Sequence, residues 1–259
     1  MADQSTIDAN VYIGRWPFRH LPCDTAQALI GRLEQAAISQ AWVGALEGLF
    51  QRDVAGVNLR LAEECRAAAN DRLLAFGTVN PALPDWEDDL RRCHEEHRFA
   101  GIRLHPGFHG YGLDDARFAS LLVQVAQRGL VVQLAVTMED ERTQHPVFRV
   151  PAVDLGPLVE LVRQLPAMRL VLLNAFRTMS LDDASGLAAA GRVYFDIATL
   201  EGVDRLASLV QQVGQDRVLF GSHFPLFYLE SAQLKLRETA LPAGVVRAIR
   251  HENARRLLE

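Results

Sequence analysis

Short apolar runs alternate with longer amphipathic ones along the chain. The short runs, rich in Val, Ile, Leu and Phe, cover residues 6–12, 41–46, 73–80, 101–105, 130–136, 169–175, 193–199 and 217–224. Near-continuous apolar character is what strands covered on both faces require. Between them the spacing predicts helices over 25–37, 54–70, 86–96, 115–128, 153–165, 181–190, 203–213 and 243–258. Asp24-Thr25 and Asp114-Asp115 supply capping side chains, Pro157 suits a first helical turn, and Gly129 and Gly191 follow helix ends. Eight strands alternating with eight helices, at about 32 residues per unit, predict an α/β (β/α)8 TIM barrel. An open doubly wound sheet would need a phosphate-binding turn after the first strand, and Gly14-Arg15-Trp16-Pro17 is not one. No linker or composition shift interrupts the pattern, so residues 1–259 read as a single barrel domain. The longest connection, 137–150, follows the fifth strand, which places it over the barrel mouth as a lid or dimer contact.

Composition narrows the chemistry. With 259 residues, 49% hydrophobic and 23% charged, the chain can bury a large core. The formal net charge of −5 provides no overall basic field for nucleic acid or an anionic membrane. No apolar run approaches the roughly 20 residues of a membrane helix, and residues 1–6 carry no leader pattern. Three cysteines, odd in number and without ligand spacing, fit a reduced, cytoplasmic protein. Lys235 is the sole lysine, which argues against Schiff-base chemistry and a bridging carbamylated lysine. There is no Gly-x-Ser-x-Gly elbow, no phosphate-binding loop and no Cys-x-x-Cys.

Barrel sites are built at the C-terminal ends of strands. Alternation puts Asp8, Asn10 and Tyr12 on one face of the first strand and Arg103 and His105 on one face of the fourth. Asn174 ends the sixth run and His223 the eighth, while Glu47 and Asn80 lie at the ends of the second and third. The loops add Arg15, Arg19, His20, His109 and Arg177. His105 and His223 are the titratable candidates. Arg15, Arg103 and Arg177 point to an anionic substrate, because guanidinium forks match carboxylates, whereas Arg19 reads as a surface charge. The competing reading of each residue is structural, a polar barrel cap bonded to water or backbone.

Four segments carry a resemblance: Ile7-Asp8-Ala9-Asn10-Val11-Tyr12-Ile13-Gly14, Gly101-Ile102-Arg103-Leu104-His105-Pro106, Leu219-Phe220-Gly221-Ser222-His223-Phe224-Pro225 and Glu252-Asn253-Ala254-Arg255-Arg256-Leu257-Leu258. Together they resemble the amidohydrolase-related barrels, the branch with small-acid decarboxylases and lactonases. The resemblance implies a metal centre opening with His-x-His on strand one, and here those positions are Asn10 and Tyr12. The family's histidines on strands five and six fall at Ala135 and Asn174, and its strand-eight aspartate at His223. The expectation is therefore a divergent member without the usual metal centre or any cofactor. An unrelated metal set of His105, His109 and Glu47 is the other arrangement weighed.

Three readings follow. In the first, a metal-independent ester or lactone hydrolase uses His223 as base, with His105 beside it. Tyr12, Asn10 or Asn174 donate to the oxyanion, while Arg15, Arg103 and Arg177, with His109, Asn80 and Glu47, line the acid pocket. Asp8 and Asp196 are the only inward carboxylates that could orient the base. In the second, catalysis is lost and the pocket binds a small organic acid. In the third, Trp16, Phe18 and Phe108 plug the mouth. A base in use would be wired to a carboxylate and open to the pocket, whereas a retired one would be buried or bonded to backbone. The resemblance further implies a homodimer.

Overall fold

A computed structural model describes residues 5–68 and 71–259. Residues 1–4 and residues 69–70, the expected end of the second helix, lie outside the described residues. Eight parallel strands run in chain order around one sheet: β1 (Ile7–Ile13), β2 (Gln40–Ala45), β3 (Leu73–Thr78), β4 (Gly101–Leu104), β5 (Val131–Ala135), β6 (Arg169–Leu173), β7 (Val193–Asp196) and β8 (Val218–Leu219). The chain after β8 joins β1 through Ala9 N to Phe220 O (2.9 Å), His223 N to Asn10 O (2.8 Å) and Tyr12 N to Phe224 O (2.9 Å), closing the TIM barrel.

The helices are α1 (Ala26–Gln35), α2 (Val54–Ala67), α3 (Trp86–Glu95), α4 (Pro106–His109), α5 (Ala116–Gln127), α6 (Leu158–Gln164), α7 (Leu181–Ala190), α8 (Arg205–Val213), α9 (Leu229–Glu238), α10 (Ala243–Arg247) and α11 (Asn253–Leu258). Thr25, Asp53, Asp115 and Ser180 cap their helices by accepting backbone N–H groups. Two expectations are corrected. The helix predicted over 153–165 begins at Leu158, because Val153 N bonds Val136 O (3.0 Å) and holds the chain beside the end of β5. The helix of the eighth unit is α9, and the predicted 243–258 segment is an addition that packs Ala254 and Leu257 against Ile7 and Leu219.

The main core lies between strands and helices. Inside the barrel a second cluster, with Trp42, Phe76, Val131, Val171 and Leu219, fills the space toward the strand N-termini. Above it the interior turns polar, and two glycines make the room. A Cβ on Gly44 would come within 2.9 Å of Arg103 Nη1, and one on Gly221 within 2.8 Å of the Asp196 Cβ.

Candidate functional site

The interior polar layer is buried throughout: Asp8, Asn10, Arg103, His105, Gln133, Asn174, Asp196 and His223 are each at most 1% exposed. Each comes from an inward strand position or a strand end, where alternation places it. Asn174 and His223 both have left-handed backbone, with φ of 56° and 59°, Asn174 directly after β6 and His223 in the segment that follows β8. Asparagine and histidine tolerate that conformation better than branched residues do.

Four side chains form one directed chain of hydrogen bonds. Asn10 Nδ2 donates to Asp196 Oδ2 (2.6 Å) and to Asn174 Oδ1 (2.9 Å). Asn174 Nδ2 donates to Thr137 O (2.9 Å) and toward His223 Nδ1 (3.1 Å). His223 Nε2 lies 2.7 Å from Met138 O. A carbonyl can only accept, so Nε2 carries the proton and Nδ1 spends its lone pair on Asn174. The second Asp196 oxygen accepts Asn174 N (2.9 Å). Burial pushes His223 down to about 3, holding it neutral, and pushes Asp196 up to about 6.

Tyr12 and His105 form the other half of the layer. The phenol oxygen lies 3.0 Å from His105 Nε2 and 3.5 Å from Met138 Sδ. Burial raises the Tyr12 hydroxyl and holds His105 well below the usual histidine range. The Arg103 guanidinium sits 4.4 Å from the Tyr12 ring centroid. Asp8 accepts Asn10 N (3.1 Å) and Ser222 N (3.0 Å), and burial pushes it up to about 7.

The expected acid clamp is not assembled. Arg103 donates inside the barrel to Gln133 Oε1 (2.7 Å), Val11 O (2.7 Å) and Trp42 O (2.9 Å), so every nitrogen is engaged by strands. The Arg15 side chain is 87% exposed and reaches toward Asp24. Arg177 bonds Asp140 (2.9 Å) and Glu201 (3.1 Å). Asn80 accepts Ala82 N (2.9 Å), Glu47 accepts Arg15 N (2.8 Å), and His109 Nε2 lies 2.9 Å from Gly48 O. These three brace the β3, β1 and β2 loops. Sequence reasoning missed Gln133, Asp140 and Glu139, which binds Arg19. Gln133 was legible as an isolated polar residue in a buried strand, whereas the two carboxylates carried no periodic signal.

The mouth is closed. Trp16, Phe18, Phe50, Phe108 and Phe148 form a continuous edge-to-face and stacked group, with centroids 5.3–6.1 Å apart. Trp16, Leu46, Leu49, Met138 and Leu226 pack over Tyr12 beneath it. A cavity bordered by His105, Ala135 and Met138 has a volume of about 10 Å³, room for one water.

The amidohydrolase family model matches residues 30–259. The chain belongs to the amidohydrolase family. No curated protein sequence matches it. Similar solved structures are 2,6-dihydroxybenzoate decarboxylase from Rhizobium (17% identity, 98% of each chain, TM-score 0.72) and dihydroxybenzoic acid decarboxylase from Polaromonas sp. JS666 with bound manganese and 2-nitroresorcinol (13% identity, 98% of this chain and 96% of that one, TM-score 0.75). Another is 5-carboxyvanillate decarboxylase from Sphingomonas paucimobilis (15% identity, 98% of each chain, TM-score 0.73). At these identities the likeness carries the fold.

The amidohydrolase barrel is intact, but its donor set does not fit a metal ion such as manganese. Asn10 turns amide hydrogens toward the centre, the His223 lone pair is occupied, and Ala135 offers no donor. Among the described residues no group of three or more His, Cys, Asp or Glu side chains could hold a metal ion.

Proposed function

We propose that this amidohydrolase-family barrel binds a small organic acid at its strand ends and that the family's metal-dependent chemistry has been lost from it. The directed chain Asp196–Asn10–Asn174–His223 carries the reading. A general base needs a free lone pair within reach of its proton donor, and His223 has none: Nδ1 takes the Asn174 amide and Nε2–H faces a carbonyl. Among the described residues no carboxylate hydrogen-bonds the ring to support an imidazolium. Arg19, paired here with Glu139, and Arg177, paired here with Asp140 and Glu201, are the guanidinium groups that a carboxylate ligand would engage by displacing those partners.

Metal-independent ester or lactone hydrolysis is the second reading, favoured by the buried Tyr12–His105 pair at 3.0 Å, a phenol and an imidazole within proton-transfer distance. Thermal-shift and calorimetric titration with small mono- and dicarboxylates, run beside turnover assays on simple lactones and aryl esters, separates the two. Binding without turnover supports the acid-binding reading. Turnover abolished in Tyr12→Phe and in His223→Ala would overturn it.

A further inference from the structure

Three consecutive residues of the loop after β5 take up the polar groups of the mouth. The Met138 carbonyl faces His223 Nε2 (2.7 Å) and its sulfur receives the Tyr12 hydroxyl (3.5 Å). The Glu139 carboxylate binds Arg19, and Asp140, which its loop neighbour Arg142 also holds (2.6 Å), binds Arg177 (2.9 Å), whose other partner is Glu201 (3.1 Å). Glu139 is only 6% exposed, and burial raises its carboxyl even though Arg19 draws it down. A buried acid held by one half-exposed guanidinium is a weakly compensated arrangement. Trp16 Nε1, His105 Nδ1 and His109 Nδ1, which line the same layer, are buried ring nitrogens without a partner. Native interiors satisfy such groups, or leave them for a ligand or water.

We propose that Met138-Glu139-Asp140 is an internal stand-in for the ligand, and that the natural ligand is a small dicarboxylate that displaces it. One carboxylate replaces Glu139 on Arg19, the other replaces Asp140 on Arg177, and a polar group of the ligand takes the positions of the Met138 oxygen and sulfur on His223 and Tyr12. This rests on the acid-binding reading above and adds the ligand's charge and its competitor. The closed and open arrangements differ in which carboxylates the two arginines hold, so apparent affinity is reduced by the share of molecules whose loop is closed.

The test is calorimetric titration of the full chain with malonate, succinate and glutarate, with propionate and sulfate as controls. The unchanged protein is compared with Glu139→Gln/Asp140→Asn and with Arg177→Gln. The proposal expects at least one dicarboxylate to bind, about tenfold or more tighter to the double variant and about tenfold or more weaker to Arg177→Gln, with propionate weaker throughout. Trp16 emission, compared with Trp16→Phe, shifts on binding as the loop leaves. Circular dichroism confirms folding of each variant, and Met138→Ala provides a second way to loosen the segment. Dicarboxylate binding that is equal in the unchanged protein, the double variant and Met138→Ala would overturn the stand-in while leaving the acid-binding reading in place. Binding of none of these acids to any folded variant would overturn both.

Discussion

Asn10 of β1 and Asp196 of β7, 186 residues apart in the chain, meet at 2.6 Å with both side chains fully buried. The amide satisfies a carboxylate that burial alone would force to protonate. Asn10→Ala leaves Asp196 Oδ2 and Asn174 Oδ1 without this donor and should destabilise the protein by about 2–4 kcal/mol. Asn10→Asp puts two carboxylates in contact, so the folded state keeps a proton that the unfolded chain releases above its ordinary carboxyl range. Its stability deficit should therefore grow as pH rises from 5 to 8, which urea unfolding at the two pH values checks.

His223 has the opposite sign. Its folded-state value of about 3 lies below the ordinary 6.5, so the unfolded chain takes up a proton first as pH falls. The stability held by the neutral ring is complete above about 6.5 and is lost toward 3, at up to about 1.4 kcal/mol per pH unit. His223→Gln removes this group, so the stability difference between the unchanged protein and the variant should shrink from pH 8 to pH 4.5 in denaturant titrations. A constant difference would contradict the buried, neutral assignment.

Arg103 and Arg15 separate structural from peripheral arginines. Arg103→Met strips donors from the Val11 and Trp42 carbonyls and from Gln133, and should cost at least about 3 kcal/mol. Arg15→Ala, at an 87% exposed side chain, should change stability by less than about 0.5 kcal/mol. Melting temperatures of the two variants decide this directly.

Phe148 contacts the Phe18, Phe50 and Phe108 rings from the loop side. Phe148→Ala should cost about 1–2 kcal/mol, less than a full core truncation because the ring is part-exposed. Amide exchange across residues 138–150 should rise while exchange in β1–β8 stays unchanged.

Metal analysis tests the donor-set argument. Protein incubated with manganese or zinc and then dialysed should retain less than about a tenth of an equivalent, since the remaining donors compete poorly with water. Near-stoichiometric retention would show that another ligand set assembles.

Much of this site was legible in one dimension. Period-two alternation within apolar runs put Asn10, Tyr12, Arg103 and His105 on inward faces, and the run ends placed Asn174 and His223 at the mouth. The strength of these readings is that strand geometry is local: a residue's facing depends on its neighbours in sequence.

What each polar group does once it faces inward is decided by partners far away in the chain. Arg103 looked like a substrate clamp until the fold brought Gln133 and the Val11 and Trp42 carbonyls onto its nitrogens. The two ring nitrogens of His223 face Asn174 and Met138 O, 49 and 85 residues away in the chain. Arg177 took Asp140, 37 residues away, rather than a ligand. The sequence by itself determined the barrel and its inward faces, because hydrophobic periodicity acts locally. Only the tertiary structure decided protonation, hydrogen-bond direction and closure of the mouth, because desolvation and pairing depend on which distant groups share one buried space.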